Sequence, residues 1–271
     1  MSNISLYLNT YHTRLQIQRF ERKRQSERHL SGQGPSGIKF IDREIRRIDF
    51  NIGGLTVSFP LNAIPDQVYD AMANAVNKST DQSEAINELY SSPLMKPTVA
   101  TLNASNIFPI NTAKKIIRLT LTDEVIQDSI HELEGAELSF QGRPFEETLD
   151  ERIELYQRVM LDDRKIDRFR FGAVEMYGDQ TYQNILRDPR VTLNMHWNQK
   201  HVPQNISYQF NCVAEIVPPG TPFYRYMRLM RRIFSSTIID LHDVPDYVCA
   251  YKFWVCESKE KSLAEKAGFV P

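Results

Sequence analysis

Short runs in which apolar and polar residues alternate recur along most of this chain, and they restrict its fold more than any other feature. The run Ile45-Arg46-Arg47-Ile48-Asp49-Phe50-Asn51-Ile52 has a period of two, as a strand with one buried face requires. Gly53-Gly54 supplies a turn, and Leu55-Thr56-Val57-Ser58-Phe59 supplies a second strand, so the pair reads as a hairpin. Further strand patterns fall at 116–121, 136–140, 152–161, 169–177, 191–197, 206–217 and 247–256. Helical spacing is rarer. Val68, Met72 and Val76 mark a helix over 65–77, and 81–90 is a second, stopped by Ser91-Ser92-Pro93. Thr122-Asp123-Glu124 caps a third helix through Leu133, and 222–237 forms a fourth. Many short strands with few helices predict a mainly β (α+β) chain, built as a single β-sandwich or jelly-roll-like body.

A length of 271 residues suffices for one large domain or two small ones, and 41% hydrophobic with 25% charged residues is ordinary for a folded protein. The glycines and proline of 31–37 form a flexible joint. We therefore divide the chain into a basic N-terminal arm and joint (1–37), a β-rich body (38–257) with helices near 65–90 and 222–237, and a C-terminal tail (258–271). The three cysteines, Cys212, Cys249 and Cys256, have no ligand spacing and read as core thiols of a reducing compartment, without a disulfide or a structural zinc. The sequence has neither a signal-like apolar start nor an apolar run long enough to span a bilayer, which predicts an intracellular protein.

Catalytic patterns are absent from the sequence. The glycines cluster at 32–37 and 53–54, without the Lys-Ser/Thr or helix start that a phosphate loop needs. No Gly-x-Ser-x-Gly or His-Glu-x-x-His occurs. His196 and His201 lie five apart, which does not put two imidazoles on one helical face. His242-Asp243 beside Cys249 or Cys256 would form a Cys-His-Asp set only if a thiol were ionised, and an apolar strand keeps it protonated. Glu146-Glu147 and Asp162-Asp163 could meet a divalent ion but read as solvated turns. The expectation is a protein without enzymatic activity, metal or cofactor; an unrecognised enzyme is a third function class.

The charge is unevenly distributed. Residues 11–47 hold ten Lys or Arg against four Asp or Glu, while the whole chain carries a net charge of −1. Arg14, Arg19, Arg22, Lys23, Arg24 and Arg28 form the basic part of the arm, suited to phosphates of nucleic acid or lipid. The helix after Thr221-Pro222 carries a second basic set, Arg225, Arg228, Arg231 and Arg232, around the stripe Phe223, Tyr226, Met227, Met230, Ile233 and Phe234. It reads either as a helix packed on the sheet with its arginines in solvent, or as a cationic surface with Tyr224 or Tyr226 available for stacking.

Two segments carry a short signature. Leu186-Arg187-Asp188-Pro189-Arg190 fits Leu-x-Asp-x-Arg by letter. Met160-Leu161-Asp162-Asp163-Arg164 fits conservatively, between the runs ERIELYQRVM and FRFGAVEMYG. With the order of elements from Gly135 onward, this resembles the thirty-kilodalton superfamily of plant-virus cell-to-cell movement proteins over 105–257. The resemblance implies a jelly-roll-like sandwich that binds viral nucleic acid, associates with membranes and enlarges plasmodesmata, without catalysis. Context favours 162–164 for the signature and 187–190 for a turn. In either place Asp162 or Asp188 would accept turn amides, with Arg164 or Arg190 completing a charge-assisted bond. The predicted partners are single-stranded nucleic acid, RNA in particular, or a viral nucleocapsid, together with an anionic membrane surface and further copies of the chain. The predicted location is the host-cell cytoplasm, a membrane or the virion. A viral matrix or capsid protein is the alternative function.

Overall fold

The computed structural model of the chain describes residues 37–52, 54–73, 94–104, 106–160, 162–198, 205–234 and 246–262. Among these, strands β1 (Ile38–Asp42), β2 (Arg47–Ile52) and β3 (Leu55–Pro60) form an antiparallel meander. Strands β4 (Thr98–Leu102), β5 (Ile110–Lys114), β6 (Arg118–Leu121), β7 (Ile166–Glu175), β8 (Arg190–Asn198), β9 (Asn205–Val217) and β10 (Cys249–Glu260) form a second antiparallel sheet, in the order β5-β4-β8-β9-β10-β7-β6. Five helices accompany them: α1 (Asp66–Ala73), α2 (Asp123–Phe140), α3 (Leu149–Met160), α4 (Gln180–Arg187) and α5 (Pro222–Phe234). The chain is therefore mainly β with helices. A jelly roll distributes eight strands over two Greek keys, whereas the described strands divide seven to three in another order.

Alternation along the two longest strands separates two cores. In β9, Tyr208, Phe210, Cys212, Ala214 and Ile216 enter the main cluster, and β10 adds Tyr251, Phe253 and Val255. Val213 of β9 pairs with Trp254 of β10 on the opposite face, where both pack with Ile48, Phe50 and Leu61 from the meander side. The expected hairpin is present as β2–β3, in register Ile52↔Leu55, with Gly54 at φ +85° in its turn. Segment 61–64 ties the meander down: Asn62 N–H donates to Val255 O (2.8 Å) and Ile64 N–H to Arg168 O (2.7 Å).

Two expected strands are helical. The run 136–140 is the last turn of α2, whose N-cap Thr122 accepts from Val125 N–H through its hydroxyl. Ala136, Leu138 and Phe140 alternate in sequence, but Leu138 is 64% exposed, and Phe140 continues the helical stripe of Ile126, Ile130 and Leu133. Segment 152–161 falls largely within α3, which opens with Asp150 and Glu151 and closes with Arg158, charges that suit the helix dipole. Its Ile153, Leu155 and Val159 imitate a strand, while Arg152, Tyr156 and Val159 recur at helical spacing. The sequence reading also missed β1, β4, β5 and α4. The expected helix at 81–90, the arm 1–36 and the tail beyond 262 lie outside the described residues.

Helix α5 lies close against β7 at Gly172. A Cβ at that position would sit 2.5 Å from Thr120 Cγ2 and 2.7 Å from Met227 Sδ. Thr120 is fully buried and β-branched, so it has little room to yield. Gly172→Ala should therefore lower stability by about 1–3 kcal/mol in urea unfolding, the usual cost of overpacking. An unchanged midpoint would mean that α5 does not pack this tightly.

Candidate functional site

Between the end of the meander and the large sheet lies a cleft of about 760 Å³. Phe59, Pro60 and Asn62 form one side; the other is built from Ala100 and Leu102 of β4, Ile110 of β5, Thr192 of β8, Asn211 of β9 and the Cys256-Glu257 pair of β10. Register brings these positions together. Ala100 stands opposite Thr192, Thr192 opposite Asn211, and Asn211 opposite Glu257. The last pairing depends on a bulge: Val255 pairs with Cys212 and Glu257 with Asn211, leaving Cys256 as the extra residue. A hydrogen-bonded row follows, in which Thr192 Oγ1 donates to Asn211 Oδ1 (3.0 Å) and Asn211 Nδ2 donates to Glu257 Oε2 (2.5 Å). Lys259 Nζ stands 3.0 Å from the same Oε2. The hydrogen bonds from Lys259 and Asn211 hold the Glu257 carboxyl below its ordinary range, so it is an anion at neutral pH.

Asp188 and Arg190 form the remaining wall. Asp188 ends α4, and its Oδ1 accepts from both Arg190 N–H (3.0 Å) and Arg190 Nε (2.9 Å), while Oδ2 accepts from Arg190 Nη2 (2.6 Å). Burial pushes the Asp188 carboxyl up, and the bonds from Arg190 outweigh it and hold it below the usual range. Asp162 and Arg164 repeat this geometry at the entrance to β7, with amide and guanidinium bonds of 3.0–3.1 Å. The two signature matches are thus one local device used twice, an acid that accepts the amide and guanidinium two residues later where the chain enters a strand. Only the 188–190 copy lines the cleft. Sequence reasoning had no access to Ala100, Thr192, Asn211 or Glu257, because strand register alone assembles them.

Burial holds the thiols at the cleft protonated. Burial pushes Cys212 well above its ordinary pKa and Cys256 up to about 12. The third, Cys249, is raised by the same cause. Elsewhere a buried ionic network packs around Trp254. The fully buried Arg170 binds Asp123 through Nη1 (3.0 Å) and Nη2 (2.9 Å) and donates to Leu121 O (2.8 Å). Lys252 Nζ reaches Asp123 Oδ2 (3.1 Å), Arg43 Nη2 reaches Asp167 Oδ2 (2.6 Å), and Trp254 Nε1 donates to Glu215 Oε2 (2.9 Å). Burial raises the Asp123 carboxyl, but the Arg170 bond and the Arg170 and Lys252 charges prevail and lower it to about 2. These groups partner one another and serve the packing of helix, sheet and meander.

Three of the basic residues of α5 are paired with acids of the fold. In α5, Arg225 pairs with Glu134, Arg232 with Glu137 (2.9 Å), and Arg228 with Asp246 (3.3 Å), while Arg231 is buried. Tyr224 and Tyr226 are buried too, and Tyr224 Oη donates to Asp246 Oδ1 (2.7 Å), so neither can stack on a base. Glu134 and Glu137 of α2 and Asp246 thus pair with three of the four arginines, whose side chains stay 28–37% exposed. Arg14, Arg19, Arg22, Lys23, Arg24 and Arg28 lie outside the described residues, as do His201, His242 and Asp243. No described helix is long and apolar enough to cross a membrane.

No family model matches the chain, and no curated protein matches it. Among solved structures it is similar to HupZ of Group A Streptococcus, with 14% identity over 73% of this chain and 94% of that one at a TM-score of 0.36. It is similar to HutZ of Vibrio cholerae, described as a heme storage protein, with 10% identity over 61% and 85% and a TM-score of 0.36. An FMN-binding protein from Syntrophomonas wolfei shows 10% identity over 73% and 93% and a TM-score of 0.34. Scores at this level assign neither function nor ligand. The resemblance to movement proteins, with the matrix and capsid alternative, is corrected on the fold: it implies a jelly-roll sandwich, whereas the described strands form one seven-stranded and one three-stranded antiparallel sheet. The expected nucleic-acid, nucleocapsid and membrane partners are corrected where α5 carried them, because Arg225, Arg228 and Arg232 are paired with Glu134, Asp246 and Glu137.

Two outcomes test these assignments. Asp123 has a lowered carboxyl pKa, so its contribution to stability is complete above the ordinary value of 3.8 and is lost as pH falls through about 2. The stability gap between wild type and Asp123→Asn should narrow by about 1 kcal/mol from pH 5 to pH 2, a figure discounted because the Asp123 side chain is 41% exposed. A gap independent of pH would deny the coupling to Arg170 and Lys252. For the three buried cysteines, Ellman's reagent at neutral pH should titrate no thiol in the native protein and all three after denaturation.

Proposed function

We propose that this chain binds a small organic molecule in the cleft between the meander and strands β4, β5 and β8–β10. The supporting observation is the cleft itself. Its volume of about 760 Å³ lies within the roughly 300–1,000 Å³ typical of small-molecule sites. Phe59, Pro60, Leu102, Ile110 and Val191 offer an apolar wall, and the row of Thr192, Asn211 and Glu257 offers orienting polar groups along one side. Binding without chemistry is the reading that fits. The two thiols at the cleft stay protonated near neutral pH, Asp188 is held by Arg190, and no histidine is among the described residues that line it.

N-phenyl-1-naphthylamine, an uncharged dye that fluoresces in apolar surroundings, tests the reading. Wild-type protein should bind it saturably. Ala100→Phe, which places a ring in the cleft at a strand position that favours aromatics, should weaken binding at least about tenfold while leaving the unfolding midpoint near its wild-type value. Absence of saturable binding, or equal binding by the variant, would remove the cleft as the site.

A further inference from the structure

We propose that the cleft selects apolar molecules with a cationic, hydrogen-bond-donating head, and that Glu257 is the residue that selects them. The inference rests on the binding role proposed for the cleft and adds the chemical class of its ligand. Three formal charges stand in the lining: Asp188, Arg190 and Glu257. Asp188 and Arg190 cancel, because the guanidinium closes on both carboxylate oxygens and the Asp188 side chain is only 13% exposed. Asp188 occupies Arg190 Nε and Nη2 and offsets its charge, so an anionic ligand reaching the remaining Nη1 would gain little net attraction. Glu257 differs. Its neutralising Lys259 reaches it from solvent with a side chain 45% exposed, an arrangement that costs little to open.

The hydrogen-bonding pattern points the same way. Asn211 Oδ1 accepts from Thr192 Oγ1 (3.0 Å) and Gln209 Nε2 (3.1 Å), which fixes its Nδ2 toward Glu257. The contacts of Asn211 and Lys259 both fall on Oε2, leaving Oε1 as an acceptor. The lone pairs of Thr192 Oγ1 add further acceptor capacity beside Glu257, while the charged donor of the lining, Arg190, is tied to Asp188. An ammonium or amidinium supplies several donors and the charge that Glu257 lacks on its cleft side. Its apolar body would lie against Phe59, Pro60, Ala100, Leu102 and Ile110.

The test is competition against N-phenyl-1-naphthylamine by two ligands with one naphthalene body, 1-naphthylmethylamine (an ammonium at pH 7.5) and 1-naphthylacetate. In wild type the ammonium should displace the dye at about fivefold lower concentration than the carboxylate, the factor that a half-exposed ion pair supplies. Glu257→Gln, which keeps shape at a half-exposed position, should bring the two ligands together when each is scaled to the dye's own affinity for the variant. Equal displacement in wild type, or a preference that survives Glu257→Gln, overturns the proposed selectivity and leaves the cleft as a binding site. If the dye does not bind, or Ala100→Phe does not weaken it, the cleft fails as a site and the selectivity fails with it.

Discussion

The ladder between β9 and β10 carries both cores and the cleft, and one inserted residue in it decides what the cleft contains. Up to Val255 the two strands pair regularly, with Val255 opposite Cys212. Without an insertion, residue 257 would stand opposite Phe210, which is fully buried in the main core. A carboxylate there would need a partner or a proton. The bulge at Cys256 shifts the pairing by one residue, so that Glu257 meets Asn211 and Ser258 meets Phe210. Cys256 tucks its small, protonated thiol against Val213 and Trp254, where it can be buried without a charge partner. Asn62 of the meander side holds the spot from above, donating through Nδ2 to Cys256 O. The same insertion therefore protects the core and supplies the polar side of the cleft.

Charge is managed across long sequence distances. Helix α5 contains no acid, and viewed alone it presents a cationic surface. Its partners Glu134 and Glu137 lie about ninety residues earlier on α2, on a helix whose final turns resembled a strand in sequence. Once α2 is seen to run through Phe140, the two acids fall one turn apart and face the arginines of α5. A misread element thus turned a neutralised helix pair into an apparent binding surface. Asp123 shows the same dependence at the other end of α2, where it joins Arg170 of β7 and Lys252 of β10.

Legibility in the sequence followed how local each determinant is. The β2–β3 hairpin was legible because Gly54 supplies the positive φ that its short turn demands. The start of α2 was legible through Thr122, and that of α5 through Thr221, whose hydroxyl accepts from Tyr224 N–H (3.3 Å). Strands β4 and β5 were missed because TVATL and INTAK are only five residues long, and are completed only by their neighbours. Helix α4 was missed although Gly178-Asp179 announces a turn and Thr181, Tyr182 and Ile185 share one buried face. The signature matched twice because its acid and arginine need only each other and the intervening backbone, and this makes it a mark of strand entry more than of a family.

By itself the sequence determined what neighbours in the chain can settle: a mainly β composition, the caps and tight turns, the acid-arginine devices at 162–164 and 188–190, and thiols that stay protonated. Those outcomes depend on backbone conformations and side chains a few residues apart. The tertiary structure alone decided the strand order, the pairing of α5 with α2, and a cleft whose walls come from positions 59, 100, 192, 211 and 257. Register between distant strands fixes such a site, and register follows from burying one face of every strand at once. No single segment carries that information, so Glu257 became visible as a candidate ligand contact only when its opposite number, Asn211, was known.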